Sequence, residues 1–346
     1  MSYYYEYELG KAAKVLCEDL FKLKPGETFV ITADTESEKR VVDATATAAF
    51  ACDAKPMVIY IASPLLKGKA GEAMLPFESL TAALLKADAW VIFNGKSFLY
   101  TTICDTAMKE NKKLRLLSLT GMNVDLMVRN IGRIDYPNLE KFLKPVTKKT
   151  QSAKHMRITT PAGTDIEFNN EPGRKPIMDL GYADTPGSHM MTGQIGWSPN
   201  FESINGTIVF DGSISPIGIL KEPVRLTIKK GEVVKIEGGK EAIEYEKWLK
   251  SFNHPQMLKL AHVCYGFNPG ARLTGVMIED ERIWGATEWG IGNVGPFLVP
   301  GGISGPSHSD GICLNSSVWL DGVQIMDKGQ LLDPELKKLA EKLGKV

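Results

Sequence analysis

Thr28-Phe29-Val30-Ile31-Thr32, an alanine-rich segment over residues 38–54 and Pro56-Met57-Val58-Ile59-Tyr60-Ile61 decide the fold class of the first part of this chain. Neither apolar run alternates with polar residues. Each strand is therefore expected to be buried on both faces, as happens where helices cover both sides of a parallel sheet. The same grammar extends in both directions. Upstream, residues 8–23 carry apolar side chains at helical spacing and stop at Lys24-Pro25-Gly26-Glu27. Downstream, residues 79–86 read as helix, Ala89-Trp90-Val91-Ile92-Phe93 as strand, residues 102–109 as helix, and Leu114-Arg115-Leu116-Leu117-Ser118-Leu119 as strand.

Past Lys144 the pattern changes. Arg157-Ile158-Thr159-Thr160-Pro161-Ala162-Gly163-Thr164-Asp165-Ile166-Glu167-Phe168 reads as a hairpin, and residues 206–213 and 224–236 continue as strands joined by glycine turns. Helices are expected over residues 241–252 and 334–343. At 346 residues the chain exceeds the roughly 250–300 residues that one core fills, so two domains are expected. They are an α/β domain over residues 1–147 and an α+β domain over residues 148–346.

Lysine plus arginine equals aspartate plus glutamate at 41 each, which gives no electrostatic reason to expect nucleic acid or an anionic membrane as partner. The five cysteines, Cys17, Cys52, Cys104, Cys264 and Cys313, are odd in number and scattered, which suits free thiols in a reducing compartment. No apolar run approaches the roughly 20 residues of a membrane span, and the first residues lack the pattern of a secretory leader. A cytoplasmic protein is expected.

His308-Ser309-Asp310 carries the chemistry. On extended backbone, alternate side chains share a face, so an imidazole and a carboxylate two residues apart can grip one metal ion; in a loop the same pair is a hydrogen-bonded turn. His262 is the candidate that completes two nitrogens and one oxygen. Such a facial triad leaves about three positions of an octahedral ion for substrate and O₂ or water. No Gly-x-Gly-x-x-Gly follows the first strand, so a dinucleotide site is not expected. Ligands of open parallel sheets lie beyond the carboxyl ends of strands, which makes Asn94, Ser97, Tyr100 and Thr101 candidate lining residues.

Pro199-Asn200-Phe201-Glu202-Ser203-Ile204-Asn205-Gly206-Thr207-Ile208-Val209-Phe210-Asp211-Gly212, Glu222-Pro223-Val224-Arg225-Leu226-Thr227, Val234-Lys235-Ile236-Glu237-Gly238-Gly239 and the His308-Ser309-Asp310 loop resemble one superfamily. It holds the thermophilic metalloaminopeptidases of the aminopeptidase T type and 2,5-dihydroxypyridine 5,6-dioxygenase. The resemblance implies a metal held by His308 and Asp310. It also separates the two branches. At the positions where the aminopeptidases carry further metal ligands and a catalytic tyrosine, this chain has Gln194, His262, Glu288 and Gly295. Loss of a carboxylate to neutral Gln194 removes charge compensation for a second ion. The resemblance to the dioxygenase therefore implies one Fe(II), held by His262, His308 and Asp310.

On this reading His189, Glu288 and Tyr100 move protons, Glu288 with its pKa raised by an apolar wall of Trp284 and Trp289. Gln194, Ser97, Thr101 and Ser304 are expected to touch a small hydroxylated aromatic substrate that reacts with O₂. The alternative is a metal-dependent hydrolase using Zn or Co. Relatives assemble as dimers or rings, so a homo-oligomer is expected.

Overall fold

The computed structural model describes residues 4–66, 68–96, 98–99 and 101–345. The chain divides into two compact units, one of residues 1–134 and 179–192, the other of residues 135–178 and 193–346. The sequence boundary at 147/148 lies inside the helix Tyr136–Ser152, and residues 179–192 return to the first unit.

The first unit is built on a five-stranded sheet in the order Lys55–Ile61, Thr28–Asp34, Ala89–Ile92, Arg115–Ser118 and Gly187–Met190, with every pair parallel. Its interior strands are those whose apolar runs lack alternation, and Ala89–Ile92 and Arg115–Ser118 are wholly buried. The Lys55–Ile61 strand is an edge and is half exposed, because covering requires neighbours on both faces. The fifth strand was not expected. Gly187-Ser188-His189-Met190 has little strand propensity and is extended because it pairs in register with Arg115–Ser118. Residues 102–109, read as helix, form the helix Thr102–Glu110, whose N-cap is Thr101.

The second unit holds two sheets. One has eight strands in the order Glu232–Glu237, Val224–Lys229, Asn205–Phe210, Asp165–Asn169, His155–Thr159, Ser317–Leu320, Val323–Asp327 and Gln330–Leu331. The expected hairpin is its pairing of Met156 with Phe168 and Ile158 with Ile166. The other has seven strands in the order Gly218–Ile219, Ser213–Ile214, Ile303–Cys313, Thr287–Val294, Leu260–Gly266, Gln194–Trp197 and Ile177–Asp179. The sheets meet where Phe168 packs edge to face on Trp289 at 5.6 Å and where Phe210 covers Gly311. A Cβ at Gly311 would stand 2.4 Å from the Phe210 ring, so that position requires glycine for the sheets to close.

Alternation in the seven-stranded sheet then sorts its residues. Trp289 and Ile291 point to the core between the sheets, so Glu288, Gly290 and Gly292 point the other way. Thr287-Glu288-Trp289-Gly290-Ile291-Gly292 lies in a central strand despite its two glycines.

Candidate metal centre

Strand register assembles the site. His262 pairs with Gly290 and Gly290 pairs with Asp310, so His262 and Asp310 flank a residue without a side chain on one face of the sheet. His308, two residues before Asp310, pairs with Gly292, and Cys264 pairs with Glu288. On the next strand Gln194 pairs with Gly266. A β-bulge between Leu260 and His262 turns the imidazole onto this face.

The glycines make room. A Cβ at Gly290 would lie 2.3 Å from Cε1 and 2.7 Å from Nε2 of His262, so the ring occupies the volume a side chain would fill. The two imidazoles stack with ring centroids 5.1 Å apart. Ligand atoms of His262, His308 and Asp310 all lie within 4.8 Å of one another.

Hydrogen bonding defines which nitrogens are available. His308 Nδ1 donates to the carbonyl of Asn293 at 2.7 Å, where a register irregularity between Gly292 and Val294 turns that carbonyl toward the ring. In the neutral ring Nε2 is then a bare lone pair, and it stands 2.8 Å from Asp310 Oδ1. Two acceptors at that distance repel unless a proton or a cation lies between them. His262 Nε2 is 3.0 and 3.2 Å from the two oxygens of Glu288 and 3.5 Å from Asp310 Oδ1, while its Nδ1 is buried without a hydrogen-bond partner. Two imidazole nitrogens and a carboxylate oxygen are a donor set that fits a divalent transition metal.

Burial lowers the pKa of His262, with the Asp310 and Glu281 carboxylates pulling it back up, so the ring is held towards its neutral, ligating form. Glu288 is fully buried and its carboxyl is pushed well above the usual carboxylate range, first by burial and then by Asp310 and Glu281. The direction and its first cause, burial, are those expected, while the two tryptophans make their ring contacts with phenylalanines. Trp289 packs on Phe168 across the sheet, and Trp284 stacks on Phe142 at 4.9 Å.

Glu288 and Glu281 supply two further carboxyl groups close enough to shift Asp310's neighbours, with Arg282 paired to Glu281. Gln194 Nε2 lies 3.5 Å from Glu288 Oε2. Among the described residues the candidate cation groups are two, and both contain His262.

Thr101 and His189 belong to the first unit and Ser304 to the second. Thr101 is buried in the first unit, where its hydroxyl donates to the Phe98 carbonyl at 2.7 Å and accepts from Cys104 N at 3.1 Å, so both its functions are used in capping a helix. His189, also in the first unit, has Nε2 bonded to the Thr185 carbonyl at 2.8 Å. Ser304 is exposed at the start of the His308 strand. Ser97 and Tyr100 lie outside the described residues.

Sequence reasoning missed Cys264, Glu281, Asn293 and the packing role of Gly290. It also missed Tyr245, whose hydroxyl meets Ser309 Oγ at 2.9 Å beneath the His308–Asp310 pair. Cys264 alone had a legible signal, since His262-x-Cys264 repeats the period of His308-x-Asp310.

The family model described as 2,5-dihydroxypyridine 5,6-dioxygenase matches residues 14–333. A curated relative of that description from Pseudomonas putida is 29% identical over 198 residues, which is 54% of this chain and 56% of the relative. The chain thus spans little more than half the length of the curated relative it matches. Among solved structures, 2,5-dihydroxypyridine dioxygenase from Pseudomonas putida KT2440 superposes with a TM-score of 0.77 at 19% identity, over 96% of this chain and 99% of that one. Wild-type AmpT from Thermus thermophilus superposes with a TM-score of 0.67 at 15% identity, over 95% and 100%.

Proposed function

The chain belongs to the 2,5-dihydroxypyridine 5,6-dioxygenase family, and from that premise we propose that it is a mononuclear non-haem Fe(II) dioxygenase opening a hydroxylated N-heteroaromatic ring. His262, His308 and Asp310 hold the iron. The observation that carries this reading is the lone pair of His308 Nε2, set 2.8 Å from Asp310 Oδ1 by the Asn293 carbonyl behind it. Such an arrangement is stabilised by a cation between the two groups.

Iron(II) bound there supplies the one-electron chemistry through which an aromatic ring reacts with O₂. The chain's own residues do the rest. Two neutral imidazoles and one carboxylate leave the centre with net positive charge, which favours the anion of a ring hydroxyl. Glu288, buried and held towards its protonated form, is placed to give or take a proton at Oε2, and Gln194 orients that oxygen through its amide. On sequence grounds alone, His189 and Tyr100 are proposed as further proton carriers, and Gln194, Ser97, Thr101 and Ser304 as substrate contacts. A homo-oligomer is likewise proposed, and light scattering checks it.

The test is iron content together with O₂ uptake on anaerobically purified protein given 2,5-dihydroxypyridine and related hydroxypyridines. Stoichiometric iron and O₂-dependent loss of ring absorbance are expected. Zinc-only binding with no O₂ consumption would overturn the reading. A hydrolase using Zn or Co is favoured by one observation, the buried Glu288 carboxyl beside the ligands, where a general base for metal-activated water belongs. Release of amino acid from leucyl substrates with added Co²⁺ or Zn²⁺ decides for it.

A further inference from the structure

We propose that the same sheet face carries a second, overlapping cation position made by His262, Cys264 and Glu288, and that it takes thiophilic divalent ions, zinc above all, in competition with iron. The inference rests on the reading of His262 as a metal ligand and is independent of ring cleavage.

Three observations carry it. First, ligand atoms of His262, Cys264 and Glu288 all lie within 4.8 Å of one another, as those of the iron group do. Strand register produces this: Cys264 follows His262 by two residues on one face and pairs directly with Glu288. Its sulfur lies over Gly196, where a Cβ would come within 2.8 Å of Sγ, so a glycine makes room here as Gly290 does for the ring. Second, Glu288 is fully buried, and around it stand the His262 ring, the Gln194 amide, the Cys264 thiol and the Asp310 carboxyl, with Glu281 adding to the negative field. No lysine or arginine is among them. Buried carboxyl groups crowded together are a place where a cation repays desolvation. Third, His262 Nδ1 is buried and has no hydrogen-bond partner, so no backbone carbonyl holds that ring from behind as Asn293 holds His308. Its Nε2 can serve an ion on the Asp310 side or one on the Cys264 side.

The donor sets differ in a way that sorts ions. Imidazole, thiolate and carboxylate with one open place are a tetrahedral zinc set, whereas two imidazoles and a carboxylate suit an octahedral ion with open positions. Binding at the inner position releases two protons to solvent, one from the Cys264 thiol as the Zn–S bond forms and one from the Glu288 carboxyl as the Zn–O bond forms, and no electrons move. One imidazole nitrogen has one lone pair, so the two positions exclude each other. Zinc would then disable the iron centre by drawing away His262, with His308 and Asp310 left untouched.

The experiment loads the metal-free full chain with Co²⁺ and records absorption, since a thiolate ligand gives a near-ultraviolet charge-transfer band that nitrogen and oxygen ligands do not. The band is expected in the wild type and in His308→Ala, which lacks the iron set, and is lost in Cys264→Ser while that variant still binds cobalt. Zinc affinity, read by competition with a chelator, should fall by about tenfold or more in Cys264→Ser, since loss of even an outer hydrogen-bond partner costs about 10–100-fold. Cobalt bound to wild type and His308→Ala without the band would overturn this inference alone. The same holds for unchanged zinc affinity in Cys264→Ser. Failure of the wild type to bind any metal would overturn this inference and the iron reading together.

Discussion

Replacing Gly290 by alanine tests the geometry of the centre without touching a ligand. The added Cβ would stand 2.3 Å from Cε1, 2.6 Å from Nδ1 and 2.7 Å from Nε2 of His262, whereas ordinary contact begins near 3.4 Å. The ring must retreat by about 1 Å, and metal–ligand distances tolerate only about 0.2 Å. His262 should therefore drop out of the ligand set, and metal affinity should fall by at least about 10–100-fold. If the strand Thr287–Val294 yields instead of the ring, overpacking costs about 1–3 kcal/mol of stability. Titration of metal-free protein against a chelator, with thermal melts of metal-free and loaded forms, separates the two. Gly10→Ala is the comparison, because no heavy atom lies within 4 Å of its added Cβ and its helix should gain about 0.5–1 kcal/mol. The cycle with His262→Ala sharpens the result, since without the ring Gly290→Ala should cost little. A Gly290→Ala protein that binds metal as the wild type does, or that loses equal stability in both backgrounds, would refute the argument.

Three further outcomes are expected. The Glu288 carboxyl is raised by burial above its unfolded value of about 4.3, so its contribution to stability is full below that pH and is lost as pH rises towards the folded value, by up to ~1.4 kcal/mol per pH unit. Glu288→Gln should remove this decline in metal-free protein, and a gap between variant and wild-type urea midpoints that does not widen with pH counts against it. Thr101→Ala deletes the cap on the helix Thr102–Glu110 and should cost about 1 kcal/mol in denaturant unfolding; an unchanged midpoint would mean the cap is idle. Tyr245→Phe removes the hydroxyl that meets Ser309 between two ligands and should cost about 0.5–1.5 kcal/mol, read by the same melts.

The sequence made the first sheet readable because its interior strands announce themselves locally: unalternated apolar runs have no polar face to show water. Its fifth strand did not, since Gly187-Ser188-His189-Met190 becomes a strand only by pairing with residues some seventy positions earlier. The same remoteness hid the interleaving of the two units, because no local composition marks where residues 179–192 go back. At the centre, His308-Ser309-Asp310 was legible as a pair on extended backbone, and His262 through the small number of histidines. Glu281 was not legible, for it follows a short helix and meets the centre through electrostatics across the fold. The role of Gly290 was not legible, because nothing in a strand glycine announces the ring that fills its space.

The Asn293 carbonyl has a genetic consequence. Backbone, and not a side chain, fixes the His308 tautomer, so any residue placed at 293 keeps that hydrogen bond and forfeits only the one from Gly305 N to Asn293 Oδ1. A deletion of one residue between 293 and 302 is another matter, since it would pull the strand irregularity out of step and aim a different atom at the ring. The chain thus stores the ligand's tautomer in a length, which point mutation barely reads and the in-frame loss of a single codon would erase.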